Sequence, residues 1–182
     1  MEDIAARYRR LAGHFADLIA AVPPEKWSAP TPCDAWTTRE LVTHVVDTQA
    51  MFLGLVDLPA GIGPPPAEDP AGAWQVASAT VQAALDDPAL ATRTFQGYFG
   101  ESTFEQAAEG FLNFDLVVHG WDLARASGGD ERLAADDIAH VVAGIPEFGD
   151  ALRSSGICGP AVDVADDADA QTQMLGLVGR RA

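Results

Sequence analysis

The sequence predicts an all-α fold, a helix bundle with long crossover connections and at most a small β-hairpin. Apolar residues recur at three- and four-residue steps in five separate stretches, which is the spacing that gives a helix one buried face. The segments that join these stretches are of uneven length, and the one over residues 59–70 contains five prolines. Because proline removes a backbone donor and disfavours helix in the residue before it, this segment is predicted to be an irregular loop.

The first two helices are marked by their ends. The first is predicted over residues 4–22, because its apolar positions stop before a pair of prolines. The second is predicted over residues 37–55. Its first residue, Thr37, is followed three positions later by Glu40, which is the pattern of a capping box.

The third and fourth helices flank a stretch with strand-like composition. The third helix is predicted over residues 71–85, and residues 92–99, with their threonine and aromatic side chains, are predicted to form one short strand or hairpin. The fourth helix is predicted from Ser102 or Thr103 to about Ser127, where two glycines follow. At the helical rise per residue it would be roughly 35 Å long.

The last part of the chain is predicted to be helical as well. An apolar face extends over residues 138–152, and Gly144 and Pro146 within it are expected to kink or split that helix. Residues 168–178 are expected to add one short turn. The sequence has no internal repeat and a length usual for one domain, so a single domain over residues 1–182 is predicted.

Charge and cysteine content exclude several classes of function. The formal net charge of −16 repels phosphate backbones and anionic headgroups, so neither nucleic acid nor a membrane is expected as a partner. Cys33 and Cys158 are too few for a disulfide scaffold and too far apart for a CxxC motif, and the N-terminus lacks the apolar stretch of a secretion signal. We therefore expect a cytoplasmic protein, monomeric or homodimeric, that folds without a structural metal.

Polar residues interrupt the apolar face of the fourth helix. Asp115, His119 and Asp122 follow one another at steps of four and three residues, so their side chains lie on one side of the helix. His44 likewise lies on a largely apolar face, that of the second helix. The remaining histidines, His14 and His140, have charged neighbours and are expected at the surface.

Two interpretations of these polar residues fit the sequence. A buried carboxylate beside an imidazole is unfavourable unless a partner compensates both groups, and a hydrogen-bonded Asp–His pair in a metal-free core would do so. A metal ion would do so as well, because imidazole and carboxylate are good ligands for zinc and other first-row ions. Three protein ligands would leave an open position, which is typical of a catalytic site.

Four segments of the chain resemble one known family. They are PTPCDAW at residues 30–36, LVTHVV at residues 41–46, DLVVHGWDLAR at residues 115–125 and MLGLVGR at residues 174–180. With these segments the chain resembles the actinobacterial DinB/YfiT-like metal-binding proteins related to the N-terminal domain of mycothiol-dependent maleylpyruvate isomerase. The likeness extends over about residues 4–180.

The resemblance implies a four-helix bundle of the DinB/YfiT type with a three-residue metal site at one end. His44 and His119 match the histidine ligands of that family. We expect zinc as the first choice of metal and nickel as the second, because imidazole and carboxylate are good ligands for zinc and similar first-row ions. Asp115 stands where the isomerase has glutamate and other DinB-like proteins have histidine. Because aspartate is one methylene shorter than glutamate, Asp122 is kept as the alternative carboxylate ligand.

Further residues are candidates for the surroundings of such a site, each with a plainer alternative: Cys33, Trp36, Asp47, Trp121 and Arg125. Cys33 precedes a helix N-terminus, which can make a thiol reactive, or it is a small buried apolar residue. Trp36 and Trp121 line a pocket or belong to the core. Asp47 is expected either to orient an imidazole or to be exposed to solvent. Arg125 is expected either to bind an anionic substrate or to complement the helix dipole.

The function predicted from residues and resemblance together is that of a divalent-metal-binding protein. We expect a metal-dependent thiol transferase that uses mycothiol or a similar low-molecular-weight thiol and an electrophilic small molecule as substrates. The alternative is a non-enzymatic helical bundle that binds a metal or a small molecule through the same residues. Sequence motifs of nucleotide-binding proteins and serine hydrolases are absent.

Overall fold

The computed structural model describes residues 2–33, 36–154 and 157–182. The chain divides into two compact units, Met1–Gly129 and Asp130–Ala182. Two compact units of one chain need not be two independently folding domains, so a single domain over residues 1–182 stays a prediction. In the described part of the chain, no helix combines the length and the apolar character that crossing a bilayer requires.

Among the described residues of the first unit, the regular secondary structure is helical apart from one small hairpin. In chain order its elements are α1 (Ile4–Ala21), a 3-10 turn (Pro24–Lys26), α2 (Thr38–Gly54), α3 (Pro70–Asp86), α4 (Pro88–Ala91), β1 (Thr94–Gly97), β2 (Gly100–Thr103), α5 (Phe104–Ala107), a π-helical segment (Ala108–Leu112) and α6 (Asn113–Ser127). The strands pair antiparallel, with Thr94 opposite Thr103 and Gly97 opposite Gly100. The hairpin thus begins within the predicted stretch and ends four residues beyond it.

The long helices pack as a four-membered ring. Helix α1 lies against α3 and α6, and α2 lies against the same two helices from the other side. The core between them is apolar, and its largest fully buried side chains include Trp74, Trp121, Tyr8, Phe15 and Phe104. This packing confirms the predicted all-α bundle with long crossovers and one hairpin.

Hydrogen bonds between buried polar groups tie the helices of the bundle together. The Tyr8 hydroxyl on α1 donates to Oε1 of Gln49 on α2 at 2.7 Å, and both side chains are fully buried. The Trp74 indole on α3 donates to the Ala12 carbonyl on α1. Each such hydrogen bond adds only modestly to the free energy of unfolding. Removing one partner lowers the stability more, because the other polar group then stays buried without a hydrogen bond.

Replacing Tyr8 with phenylalanine should therefore destabilise the bundle by about 1–3 kcal/mol, because Oε1 of Gln49 would stay buried without its donor. Urea denaturation followed by circular dichroism measures this loss. Tyr98→Phe is the matched control, since the Tyr98 side chain is 84% exposed and its hydroxyl is available to water. Equal effects of the two substitutions would contradict the account.

The predicted capping box fixes the start of α2. The Thr37 hydroxyl accepts the Glu40 N–H, and the Glu40 carboxylate accepts the Thr37 N–H. These bonds satisfy two of the donors that the first helical turn leaves free. Because they fix where the helix begins, they also fix the direction of the His44 side chain, one turn after Glu40, toward α6.

The fourth predicted helix is continuous but contains a wider turn. Thr103 is its N-cap, with a second capping box to Gln106, and Gly128 ends it in the left-handed conformation with φ 81°. Within it the Asn113 N–H donates to the Ala108 carbonyl, five residues earlier, which marks the π-helical segment. π turns often occur at functional sites, and this one ends at Leu112, three residues before Asp115.

The second unit contains α7 (Ala135–Phe148), α8 (Ala151–Ser154) and α9 (Ala170–Leu177). Gly144 and Pro146 do not split the first of these helices, because α7 continues through both, and a kink at these residues stays a prediction. Pro146 lies in the last turn, where a missing N–H interrupts little of the helix. The chain leaves the helix at Gly149, whose φ of 51° favours glycine. Helix α9 has eight residues, about two turns rather than the one expected.

Candidate metal centre

Two neighbouring helices of the ring bring His44, Asp115 and His119 together. Asp115 and His119 project from one side of α6 because they are four residues apart, and His44 faces them from α2. The Asp115 Oδ1 atom lies 3.3 Å from Nε2 of His119 and 4.0 Å from Nε2 of His44. Each of the three residues offers a ligand atom within 4.8 Å of the other two.

The donor atoms fit a divalent metal ion. Two imidazole nitrogens and one carboxylate are a ligand set that zinc and similar ions accept. The second carboxylate oxygen of Asp115, Oδ2, is buried and has no hydrogen-bond partner among the residues that the structure describes. A buried polar atom without a partner is unfavourable, and a bound cation would remove this cost.

The centre is open on one side. The His44 side chain is 37% exposed and that of Asp115 is 21% exposed, whereas that of His119 is 8% exposed. A small molecule can therefore approach from the side of His44, while His119 forms the floor. A site with three protein ligands and such an opening has room for a substrate atom.

Burial and neighbouring charges shift the pKa values of the two histidines in opposite directions. Burial lowers the pKa of His44 below its ordinary value, although the negative charges of Asp115 and Asp47 act against it. Burial also acts to lower the pKa of His119, but the charge of Asp115 and hydrogen bonds to Asp115, Asp122 and Cys33 raise it well above its ordinary value. His44 is thus ready to act as a neutral ligand, and His119 is held between two carboxylates.

Residues 8–124 match the family described as the mycothiol maleylpyruvate isomerase N-terminal domain. The match covers more than half of the chain and includes His44, Asp115 and His119. The chain belongs to this family. The resemblance stated from the sequence is thereby confirmed.

Two relatives of this family member come from Mycobacterium tuberculosis. They are the uncharacterized protein MT0763 of strain CDC 1551 / Oshkosh and the uncharacterized protein Rv0738 of strain ATCC 25618 / H37Rv. Each is 32% identical to the chain over 147 residues, which are 78% of this chain and 79% of the relative. No solved structure matches the chain.

The two candidate carboxylates of this family member lie at opposite nitrogens of His119. Asp115 faces Nε2, whereas Oδ2 of the fully buried Asp122 lies 2.9 Å from Nδ1. The Cys33 thiol donates to the same Asp122 oxygen at 3.3 Å. Histidine ligands commonly donate their second N–H to a carboxylate, so the geometry favours Asp115 as ligand and Asp122 as the group that orients His119.

Aromatic and charged side chains surround the centre. The Trp36 indole stacks on the His44 ring at 4.3 Å between ring centroids and lies 5.8 Å from the His119 ring. Trp121 is buried in the core, and the guanidinium of the exposed Arg125 lies 5.1 Å from its ring. Asp47 is exposed and acts on His44 through its charge.

The structure also shows an aromatic cluster that the sequence analysis did not assign to the site. Phe111, one turn before Asp115, contacts the rings of Phe52 and Phe99 at 5.4 and 5.7 Å. Its spacing of four residues from Asp115 was the available signal. The cluster gives the centre an apolar neighbour at the hairpin.

The histidines predicted to lie at the surface differ from each other. His14 on α1 is exposed, as expected. His140 on α7 is at the surface but only partly exposed, and its helical neighbour Asp137 is buried. His14 is the better control residue.

Proposed function

We propose that the chain is a metal-dependent thiol transferase that uses mycothiol or a similar low-molecular-weight thiol. The observation that carries the proposal is the open centre of His44, Asp115 and His119, in which a buried carboxylate oxygen has no hydrogen-bond partner among the described residues. The name of the family links it to mycothiol chemistry. We infer zinc as the resident ion, with nickel as the second choice, because imidazole and carboxylate suit both.

His44, Asp115 and His119 would hold the ion in this proposal. A divalent cation on two neutral imidazoles and one carboxylate supplies a net positive charge, which favours a bound thiolate over a thiol. Asp122 accepts a hydrogen bond from Nδ1 of His119 and so leaves Nε2 free to bind the ion. Trp36 restrains the His44 ring by stacking on it.

The chain's own side chains would position the second substrate. The exposed edge of the centre at His44 lets a thiol approach, and the Phe111 cluster offers an apolar surface one helical turn away. An electrophile with a large apolar group would gain binding free energy by burying that group against this cluster. Its reactive carbon would then lie on the open side of the centre.

Calorimetry with the metal-loaded and the metal-free protein tests the proposal. Mycothiol should bind the metal-loaded form and not the metal-free form, because the ion supplies the preference for thiolate. Bacillithiol, glutathione and cysteine, titrated in the same way, identify the preferred thiol. Binding of none of the four to the loaded protein would contradict the transferase and leave the alternative, a bundle that binds a metal or another small molecule.

Removal of the metal should lower the melting temperature without unfolding the protein. The buried cores of both units are built without the ion, so far-ultraviolet circular dichroism after chelation should still show a cooperative helical transition. The zinc-loaded form should melt at a higher temperature by mass action. Loss of the helical signal on chelation would make the ion structural and contradict its catalytic role.

We place this activity in the cytoplasm, where small thiols are kept reduced. The net charge of −16 supports a small-molecule partner over nucleic acid or an anionic membrane. We propose a monomer or a homodimer as the working form, which light scattering at several concentrations distinguishes.

A further inference from the structure

A second group of metal-binding side chains lies on the other side of His119. Besides the His44 centre, the described residues place Cys33, His119 and Asp122 so that their ligand atoms lie within 4.8 Å of one another. We propose that these three residues form a second, thiolate-containing metal site for a thiophilic divalent ion such as cadmium. The inference goes beyond the proposed function, since it involves neither a thiol substrate nor His44.

The spacing of the three donor atoms suits such an ion. The Asp122 Oδ2 atom lies 2.9 Å from Nδ1 of His119 and 3.3 Å from Sγ of Cys33, and Sγ lies 4.0 Å from Nδ1. Tetrahedral zinc ligands at metal distances of about 2.0–2.3 Å are themselves about 3.3–3.8 Å apart, and the larger cadmium ion spaces its ligands more widely. The three donors therefore need to move by a few tenths of an ångström to about half an ångström for an ion of zinc's size, and by somewhat more for cadmium.

The environment of the second site accommodates a cation. Asp122 is fully buried and His119 nearly so, and an ion held by both would compensate the buried carboxylate in place of the hydrogen bonds that Asp122 accepts from His119 and Cys33. Cys33 is partly exposed, which gives an ion a way in from its side. Soft thiolate sulfur selects thiophilic ions over ions that prefer oxygen.

The two sites exclude each other because they use opposite nitrogens of one imidazole. A neutral imidazole has a single nitrogen that can bind a metal, and the other carries a proton. An ion at Cys33 takes Nδ1, releases the protons of the thiol and of Nδ1 to the buffer, and leaves the Nε2 proton to be donated to Asp115. An ion at His44 takes Nε2 and leaves the Nδ1 proton to be donated to Asp122. We therefore expect one ion per chain, in one site or the other.

Titration of the metal-free protein with cadmium tests the proposal through the ultraviolet charge-transfer band of the cadmium–thiolate bond. The band should saturate at one ion per chain, and it should be lost in Cys33→Ser and in Cys33→Ala. Cys158→Ser is the matched control, because Cys158 is the other cysteine of the sequence and should leave the band unchanged. His44→Ala should also retain the band, since His44 is not a ligand of this site.

Absence of the band in the unmodified protein, its persistence in Cys33→Ser, or its loss in His44→Ala would each overturn the second site. Circular dichroism of both Cys33 variants checks that they are folded. If Cys33→Ser does not fold, Cys33→Ala still tests whether the band depends on the Cys33 thiolate. Zinc binding by the Cys33 variants reports the His44 centre separately. Failure of the second site is thereby distinguished from failure of the proposed function.

Discussion

In Cys33→Ala protein, which lacks the thiolate of the second proposed site, His44→Ala should lower the affinity for zinc by at least about 100-fold while leaving the stability of the metal-free protein almost unchanged. Loss of a partner that merely orients a ligand already costs about 10–100-fold in affinity, and His44 is itself a proposed ligand. Its side chain is 37% exposed, so the truncation leaves no large cavity. Competition with a chromogenic chelator measures the affinity, and urea denaturation measures the stability.

His119→Ala should lower the zinc affinity as strongly, and it should also destabilise the metal-free protein by about 3–5 kcal/mol. The reason is that His119 is buried between Asp115 and Asp122, and its removal leaves two carboxylates without their shared partner. The two histidine variants thus differ in stability but agree in affinity. His14→Ala, at an exposed histidine of α1, should change neither quantity. Zinc affinity that survives in His44→Ala and His119→Ala would contradict the assignment of the centre.

The second large effect concerns catalysis. With zinc bound, the protein should accelerate the conjugation of mycothiol with a reporter electrophile such as a chloro-aromatic or bimane compound. His44→Ala and His119→Ala should abolish the acceleration, because the preference for thiolate depends on the ion. Asp115→Asn should weaken it, since the amide keeps the shape of the ligand but removes its charge. A stopped-flow or plate assay of product absorbance or fluorescence measures the rates.

Asp47→Asn is the matched control for Asp115→Asn. Both substitutions remove one carboxylate near His44, but Asp47 is exposed and lies outside the ligand set. It should leave the rate close to that of the unmodified protein. Equal losses in the two variants would show that the general negative charge, rather than ligation, supports the reaction.

The fold was predictable where local signals and burial agree. The capping box at Thr37 and Glu40 and the glycine at residue 128 mark helix ends that the structure confirms. The π-helical segment over Ala108–Leu112 was not predictable, because no residue there demands a wider turn. Helix α7 ends at Gly149 rather than at Pro146, since a proline in the last turn interrupts little of the helix.

The site was predictable in its members but not in its arrangement. The spacing of Asp115, His119 and Asp122 places all three on one side of α6, which is what the structure shows. Spacing alone could not tell which carboxylate faces which nitrogen of His119, because that depends on side-chain torsions and on Cys33. The stacking of Trp36 on His44 was equally hidden, since these residues meet only after the loop before α2 has folded.

Elemental analysis of the protein, purified without chelator and without a polyhistidine tag, tests the central claim most directly. The account predicts about one zinc or nickel ion per chain, retained through gel filtration and absent from the protein carrying both His44→Ala and His119→Ala. Protein that contains no transition metal as purified, and takes up none when reconstituted with zinc or nickel, would contradict the account. Asp115 and His119 would then be a hydrogen-bonded pair of a metal-free bundle.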